Sequence, residues 1–334
     1  MTDTKRIEFI DLAKGVCIIL VVLQHIGLDV NFTGFVSMRM PLYFVLSGLF
    51  FKDYGSFRDF ALKKVNRLLV PFAFFYLLGY VVYYGVNVLF PNKGIYGGFD
   101  VWGIFSFIDR RVYFNGPIWF LLSLFWANLI FCVITLNIKR EWLRGVAVLL
   151  CGVVGYVLGV YKVQLPCVMD VALIALPFFY LGYILKKTSL LYPNSFDRYN
   201  VLIALGLGLV SVGIDYFGKC PRIWFHFNVF YGNVLLAVLI SVTSVGAVLF
   251  VCKALGRLPL ISYIGRYSIV FLCWHHLVYR HLFLVFNETV AMDRYIYSGG
   301  VDYGGLFGID AIVGEIYTTF CCTEGFDIIE RRLV

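Results

Sequence analysis

Long apolar runs recur along the whole chain, separated by short polar interruptions. They cover residues 8–28, 36–51, 68–89, 117–136, 143–160, 167–185, 200–217, 229–251, 267–286 and 305–322. Runs of about 20 residues match the helix length that crosses the hydrocarbon core of a bilayer. A closed barrel, the other fold that satisfies every backbone polar group in lipid, would need short alternating segments, and the chain has none. The pattern predicts an all-α polytopic membrane protein with about ten transmembrane helices, forming one domain over residues 1–334. The second run is short and contains Pro41, so a broken or tilted helix is expected there. The first run lacks a small-residue cleavage site and carries interior polar groups, which argues against a cleaved leader.

Composition agrees. Hydrophobic residues make up 61% of the chain and charged residues 14%, at a mean hydropathy of +0.85. A water-soluble domain is about half apolar and a quarter charged, so this excess needs lipid. Eighteen Lys and Arg fall in the segments that are inner if the N-terminus is inside, and seven in the outer ones. Both termini are therefore expected to be cytoplasmic. The net charge of +8 is then a topology signal that also attracts anionic membrane lipid, with no call for nucleic acid. The nine cysteines show no metal-like spacing. Cys167 and Cys220 both fall near the outer face, where they are either a disulfide or two thiols. The segments MPLYFVLSGLFFK and ALPFFYLGYILKK echo each other, with Pro early, Gly late and Lys at the exit. Duplication and chance in apolar text both account for that echo.

Candidate chemistry sits inside the runs. Eleven residues after Lys14, His25 returns to within about 20° of the same helix face, some 16 Å higher, with Asp11 one turn below Lys14. Ionisable groups in a span are costly and usually face a polar interior, so the pair suggests a polar path running lengthwise. The structural alternative has Lys14 reaching the surface and His25 hydrogen-bonded in the interior. Imidazole is the side chain best suited to take a proton from a hydroxyl near neutral pH. Arg39 lies at a depth comparable with His25, where it would orient an acceptor or simply reach headgroups. In the inner stretch KDYGSFRDFALKKVNR, the cations Lys52, Arg58, Lys63, Lys64 and Arg67 would receive an anionic ligand such as coenzyme A phosphates, or serve topology alone. Asn115 and Trp119, with Arg110 and Arg111 before them, suit a sugar site, although Trp at a span end is also an ordinary interfacial anchor. His275, mid-membrane in WHH, would approach His25, while His276 and Arg280 share a different face. No second ligand pair is spaced for a metal, and none is expected. Glu315 and Asp310 in the last run should pair with a cation, Arg39 being one candidate.

The stretches IDLAKGVCIILVVLQH, MPLYFVLSGLFF, KKVNRLLVPF, NGPIWFLLSLF, LPFFYLGYILKK and ISYIGRYSIVFLCWHH run in order from residue 10 to 276. As a set they resemble the membrane acyltransferase family 3, the bacterial O-acyltransferases of surface sugars, and particularly its fucose 4-O-acetylase-like branch. In that family ten residues separate a basic residue, commonly Arg, from an essential His. Here Lys14 and His25 occupy those positions, with bidentate hydrogen bonding lost. Arg39 stands where relatives often carry His. The resemblance implies a multi-pass protein of the bacterial cytoplasmic membrane that takes acetyl-CoA as donor and a sugar or glycan as acceptor, with His25 as general base or nucleophile. A secondary transporter or flippase of sugar-linked lipids is the alternative reading of the same polar path.

Overall fold

The computed structural model describes residues 7–26, 33–52, 55–89, 101–110, 115–188 and 197–286. Eleven α-helices lie among them: α1 (Glu8–His25), α2 (Thr33–Leu49), α3 (Phe57–Lys64), α4 (Val70–Leu89), α5 (Trp119–Asn137), α6 (Glu141–Val160), α7 (Met169–Leu185), α8 (Asn200–Phe217), α9 (Val234–Leu255), α10 (Pro259–Arg266) and α11 (Ser268–Phe286). Nine of the ten expected spans coincide with helical segments; the tenth, 305–322, lies outside the described residues together with Glu315 and Asp310. Among the described residues, six segments are long and apolar enough to cross a membrane: Phe57–Gly85, Gly116–Asn137, Glu141–Val160, Pro166–Leu185, Asp197–Phe217 and Val234–Leu255.

Three expectations are corrected. Residues 57–67, which lie between the second and third expected spans, are helical: α3 continues through a π-helical turn at Val65–Leu69 into α4. That turn precedes Pro71, which has no N–H to offer the carbonyl of Arg67. Pro41 sits inside a continuous α2 and does not break it. The helix expected from residue 229 begins at Val234, and before it a hairpin pairs β1 (Arg222–Trp224) with β2 (Val229–Tyr231), Ile223 lying opposite Phe230. Asn228 closes its turn at φ +54°, a left-handed position that Asn tolerates better than most residues. The described residues are therefore helical with one small β element.

Burial separates the helices into a centre and a periphery. α5 is mostly covered, whereas α6 and α8 expose continuous aliphatic faces, including Leu149, Val153 and Val157 on one and Leu202, Leu205 and Leu209 on the other. Apolar faces this extensive need hydrocarbon around them.

Glycines set two close crossings. α2 and α7, which carry the two echoing segments, pack together at Gly48 and Gly182. A Cβ on Gly48 would stand 1.8 Å from the Phe179 carbonyl oxygen, and one on Gly182 would stand 1.8 Å from that of Val45. α1 and α10 repeat the device, Gly15 against Ile261 and Gly265 against Asp11. Without a hydrophobic drive between helices in lipid, such backbone approach supplies the packing that holds them.

The connections sort to two ends. At one end, Glu8 pairs with Arg257 (3.3 Å), Lys253 with Asp197 (2.7 Å) and Lys187 with Glu141 (2.5 Å), while Lys186 donates to the Phe51 carbonyl (2.7 Å). These are the segments that the charge pattern assigns to the inner side. At the other end the hairpin meets residues 101–110 and the start of α7. This is the His25 end.

Candidate active site

His25 is the last residue of α1, and α11 brings two more histidines to it. The His25 ring lies 5.2 Å from that of His275 and 5.7 Å from that of His276, centroid to centroid. His276, assigned from sequence to a different face, thus joins the same cluster. Neighbouring positions on a helix differ by about 100°, and a ring arriving at the end of another helix meets both. Nδ1 of His275 is 2.9 Å from the carbonyl oxygen of Phe271. A carbonyl only accepts, so Nδ1 carries the proton and Nε2 presents a lone pair.

Arg39 is buried on α2, and its Nη1 donates to the Leu20 carbonyl at 3.1 Å. It therefore lies against the upper part of α1 and within electrostatic reach of His25. It does not extend to a headgroup position. Asn115 is fully buried, and its Nδ2 donates to the Cys273 carbonyl at 2.8 Å, tying the turn before α5 to the segment of α11 that carries His275. Its amide nitrogen thus holds the scaffold. Trp119 is not an interfacial anchor: it is buried and stacks on His226, centroids 5.1 Å apart and planes 9° apart.

His226 was missed by the sequence reading. It lies on the hairpin turn, within electrostatic reach of His25. Four of the five histidines of the chain thus gather at this end. A buried clamp fixes the hairpin. The Arg110 guanidinium forms an ion pair with Asp170 and donates from Nη1 to the His226 carbonyl at 3.0 Å. Asn228 Nδ2 donates to Asp170 at 3.2 Å and to the Gly155 carbonyl at 2.9 Å. Arg110, read from sequence as a sugar contact, is consumed by this structural pair; Arg111 lies outside the described residues. The only sequence signal for the hairpin was the pair of aromatic and β-branched triplets RIW and VFY around Asn228, too short for periodicity to show.

Burial pushes His226 down from its ordinary 6.5 to about 4, the Arg110 charge acting in the same direction, so its ring is neutral at pH 7. Because the folded value is depressed, the neutral ring favours the fold above pH 6.5, and that contribution is lost as pH falls towards 4. The thermal midpoint of the wild type should therefore fall further between about pH 7 and pH 5 than that of His226→Phe. Equal falls would contradict the assignment.

The other predicted residues sit apart from this cluster. Asp11 is buried near the α1–α10 crossing, about 21 Å along the helix from His25. The Lys14 Nζ lies 5.5 Å from the centroid of Phe50, a cation–π placement at the basic end, and the Lys14 carbonyl accepts from the Tyr43 hydroxyl at 3.2 Å. Lys52, Arg58, Lys63 and Arg67 are exposed, and Lys64 is half-buried over the Phe60 ring. A shallow depression of about 480 Å³ is lined by Asp59, Leu62, Lys63 and Asn66. A second cavity at this end, of about 260 Å³, is lined by Phe51, Thr135, Arg144, Tyr183, Lys186 and Lys187. Arg144 there caps α5 by donating to the carbonyls of Thr135 and Ile138, so its charge is already in use. Cys167 and Cys220 are not joined to each other, which removes the disulfide option. Among the described residues no three His, Cys, Asp or Glu side chains are arranged to hold a metal ion.

The arrangement is a cluster of imidazoles at one end of a helix, an arginine beside it, and cations at the other end. A family model described as an acyltransferase domain, of the acyltransferase 3 type, matches residues 7–301. The chain belongs to the acyltransferase 3 family. It is an integral membrane acyltransferase, an enzyme that takes an acyl group from a donor. No curated protein and no solved structure matches the chain. Family membership decides between acyl transfer and the transporter reading.

Proposed function

We propose that this acyltransferase moves an acetyl group from acetyl-CoA to a hydroxyl of a sugar or glycan precursor, in the bacterial cytoplasmic membrane. The observation that carries the reading is His25, placed by α1 among His275, His276 and Arg39 at the end opposite the exposed cations. His25 takes the proton of the acceptor hydroxyl as its oxygen attacks the thioester carbonyl. The carbon–sulfur bond breaks, an ester forms, and coenzyme A leaves as a thiolate that regains a proton. A two-step route through acyl-His25 uses the same groups. Arg39 favours the oxyanion that develops on the carbonyl. Lys14 guides the donor towards that point, and Lys52, Arg58, Lys63, Lys64 and Arg67 hold its phosphates. Asn115, Trp119 and His275 border the acceptor, with Asp11 orienting the lower end of the path.

Replacing Lys63, Lys64 and Arg67 together by Glu should raise the KM for acetyl-CoA, and the parent should lose donor affinity steeply with salt. An unchanged donor KM would reduce the cluster to a topology signal. Deleting the protein should remove acetyl ester from cell-envelope glycan; glycan esters at the wild-type level would overturn the acceptor class.

A further inference from the structure

Buried polar atoms at the His25 end without a hydrogen-bond partner among the described residues include His226 Nε2, His275 Nε2 and Asn115 Oδ1. Their chemistry is constrained by what the other end of each side chain does. His275 Nε2 carries a lone pair, because Nδ1 donates to Phe271. Asn115 Oδ1 can only accept, because Nδ2 is committed to Cys273. The neutral His226 ring brings a nitrogen that takes either role according to its tautomer. Buried acceptors left unpaired are costly, so these atoms call for a ligand that supplies hydroxyl hydrogens, and more than one of them. Beside them the flat Trp119–His226 stack forms an aromatic wall. Its position does not wander: Arg110 holds the His226 backbone, and Asp170 and Asn228 hold Arg110 and the hairpin.

A lone alcohol would occupy His25 and leave the rest of this set unsatisfied. A ring bearing adjacent hydroxyls would place one at His25 and the next at the orphaned acceptors. Its C–H face would lie on the aromatic wall.

We propose that His226, seated on Trp119 and working with His275 Nε2 and Asn115 Oδ1, forms a subsite for a second acceptor hydroxyl next to the acylated one, selecting vicinal diols over single alcohols. The proposal rests on the acyl-transfer reading above and adds a specificity-determining residue to it.

The test uses the full chain in lipid nanodiscs. A panel of methyl pyranosides bearing a vicinal diol, and their monodeoxy analogues, is titrated by calorimetry and then used as acceptors with acetyl-CoA. The wild type should bind a diol about tenfold or more tighter than its monodeoxy analogue, the range set by leaving a built hydrogen-bonding site unpaired. His226→Phe keeps the aromatic stack and should lose that discrimination, while His226→Gln, which restores hydrogen-bonding atoms, should regain part of it. Should the Phe variant fail to fold, the Gln variant decides: discrimination reduced but present supports the subsite, and discrimination equal to wild type overturns it. A Phe variant that discriminates like the wild type, or a panel in which no pyranoside binds, also overturns it. Binding with discrimination but without acetyl transfer leaves the subsite standing and sinks the acyl-transfer reading. Transfer without discrimination sinks the subsite alone.

Discussion

His25→Ala should lower acyl transfer by about 10²–10⁴-fold, the usual cost of losing a general base. The protein should still insert and fold, because His25 is the last residue of α1. The size of the loss separates the two chemical routes from a purely structural role. A base or nucleophile in the reacting position affects kcat; a packing residue affects stability and leaves the activity of the folded fraction intact. His275→Ala should act differently. Its ring presents a lone pair beside His25 and does not occupy the end of the polar path, so its loss should raise the acceptor KM more than it lowers kcat. Turnover measured per folded molecule checks both. A folded His25→Ala protein with wild-type turnover would remove the imidazole cluster from the chemistry.

The second large effect concerns the scaffold. Gly182→Val should abolish accumulation of folded protein, because its side chain would enter a space where even a Cβ stands 1.8 Å from the Val45 carbonyl oxygen. The Cβ position is fixed by the α7 backbone and the oxygen belongs to the α2 backbone, so no rotamer change relieves the clash, and α2 and α7 must separate. A cost above about 4 kcal/mol is in keeping with overpacking of this severity. Gly206→Val, on α8 where nothing lies within 4 Å of an added Cβ, should be tolerated and serves as the comparison. Size-exclusion profiles and thermal midpoints in detergent distinguish the two. Equal profiles for Gly182→Val and wild type would mean that the α2–α7 crossing is looser than described.

These two residues also show how far the sequence could be read. The apolar runs located nine helical segments because hydrocarbon-length runs carry their own signal. The Lys14–His25 spacing placed a histidine at the site because a helix converts residue number into position and face. The echo between MPLYFVLSGLFFK and ALPFFYLGYILKK was visible, but its consequence was not. Only the structure brings Gly48 and Gly182 to one crossing, since helix pairing within a bundle leaves no periodic trace. His226 was illegible for a related reason: two three-residue strands give no alternation to detect, and His226 reaches the site through the tertiary clamp of Arg110, Asp170 and Asn228. Arg110 was recognised as a notable residue and read as a sugar contact, whereas its charge serves the buried pair with Asp170. Residue type announces a charge or an aromatic face, and burial decides what it serves.

Sidedness is the most direct test of the account. Purified protein is sealed into vesicles of known orientation, fixed independently by cysteine labelling at residues 58 and 97. Acetyl-CoA labelled in its acetyl group is supplied on one side and the sugar acceptor on the other. Donor phosphates held at the exposed cations and an acceptor at the His25 end predict that label is transferred only when acetyl-CoA is on the side of residue 58. The acetylated sugar should then appear on the side of residue 97. Acetylated sugar found only on the donor side, or transfer that ignores the orientation of the protein, would contradict a path that joins the two ends through α1.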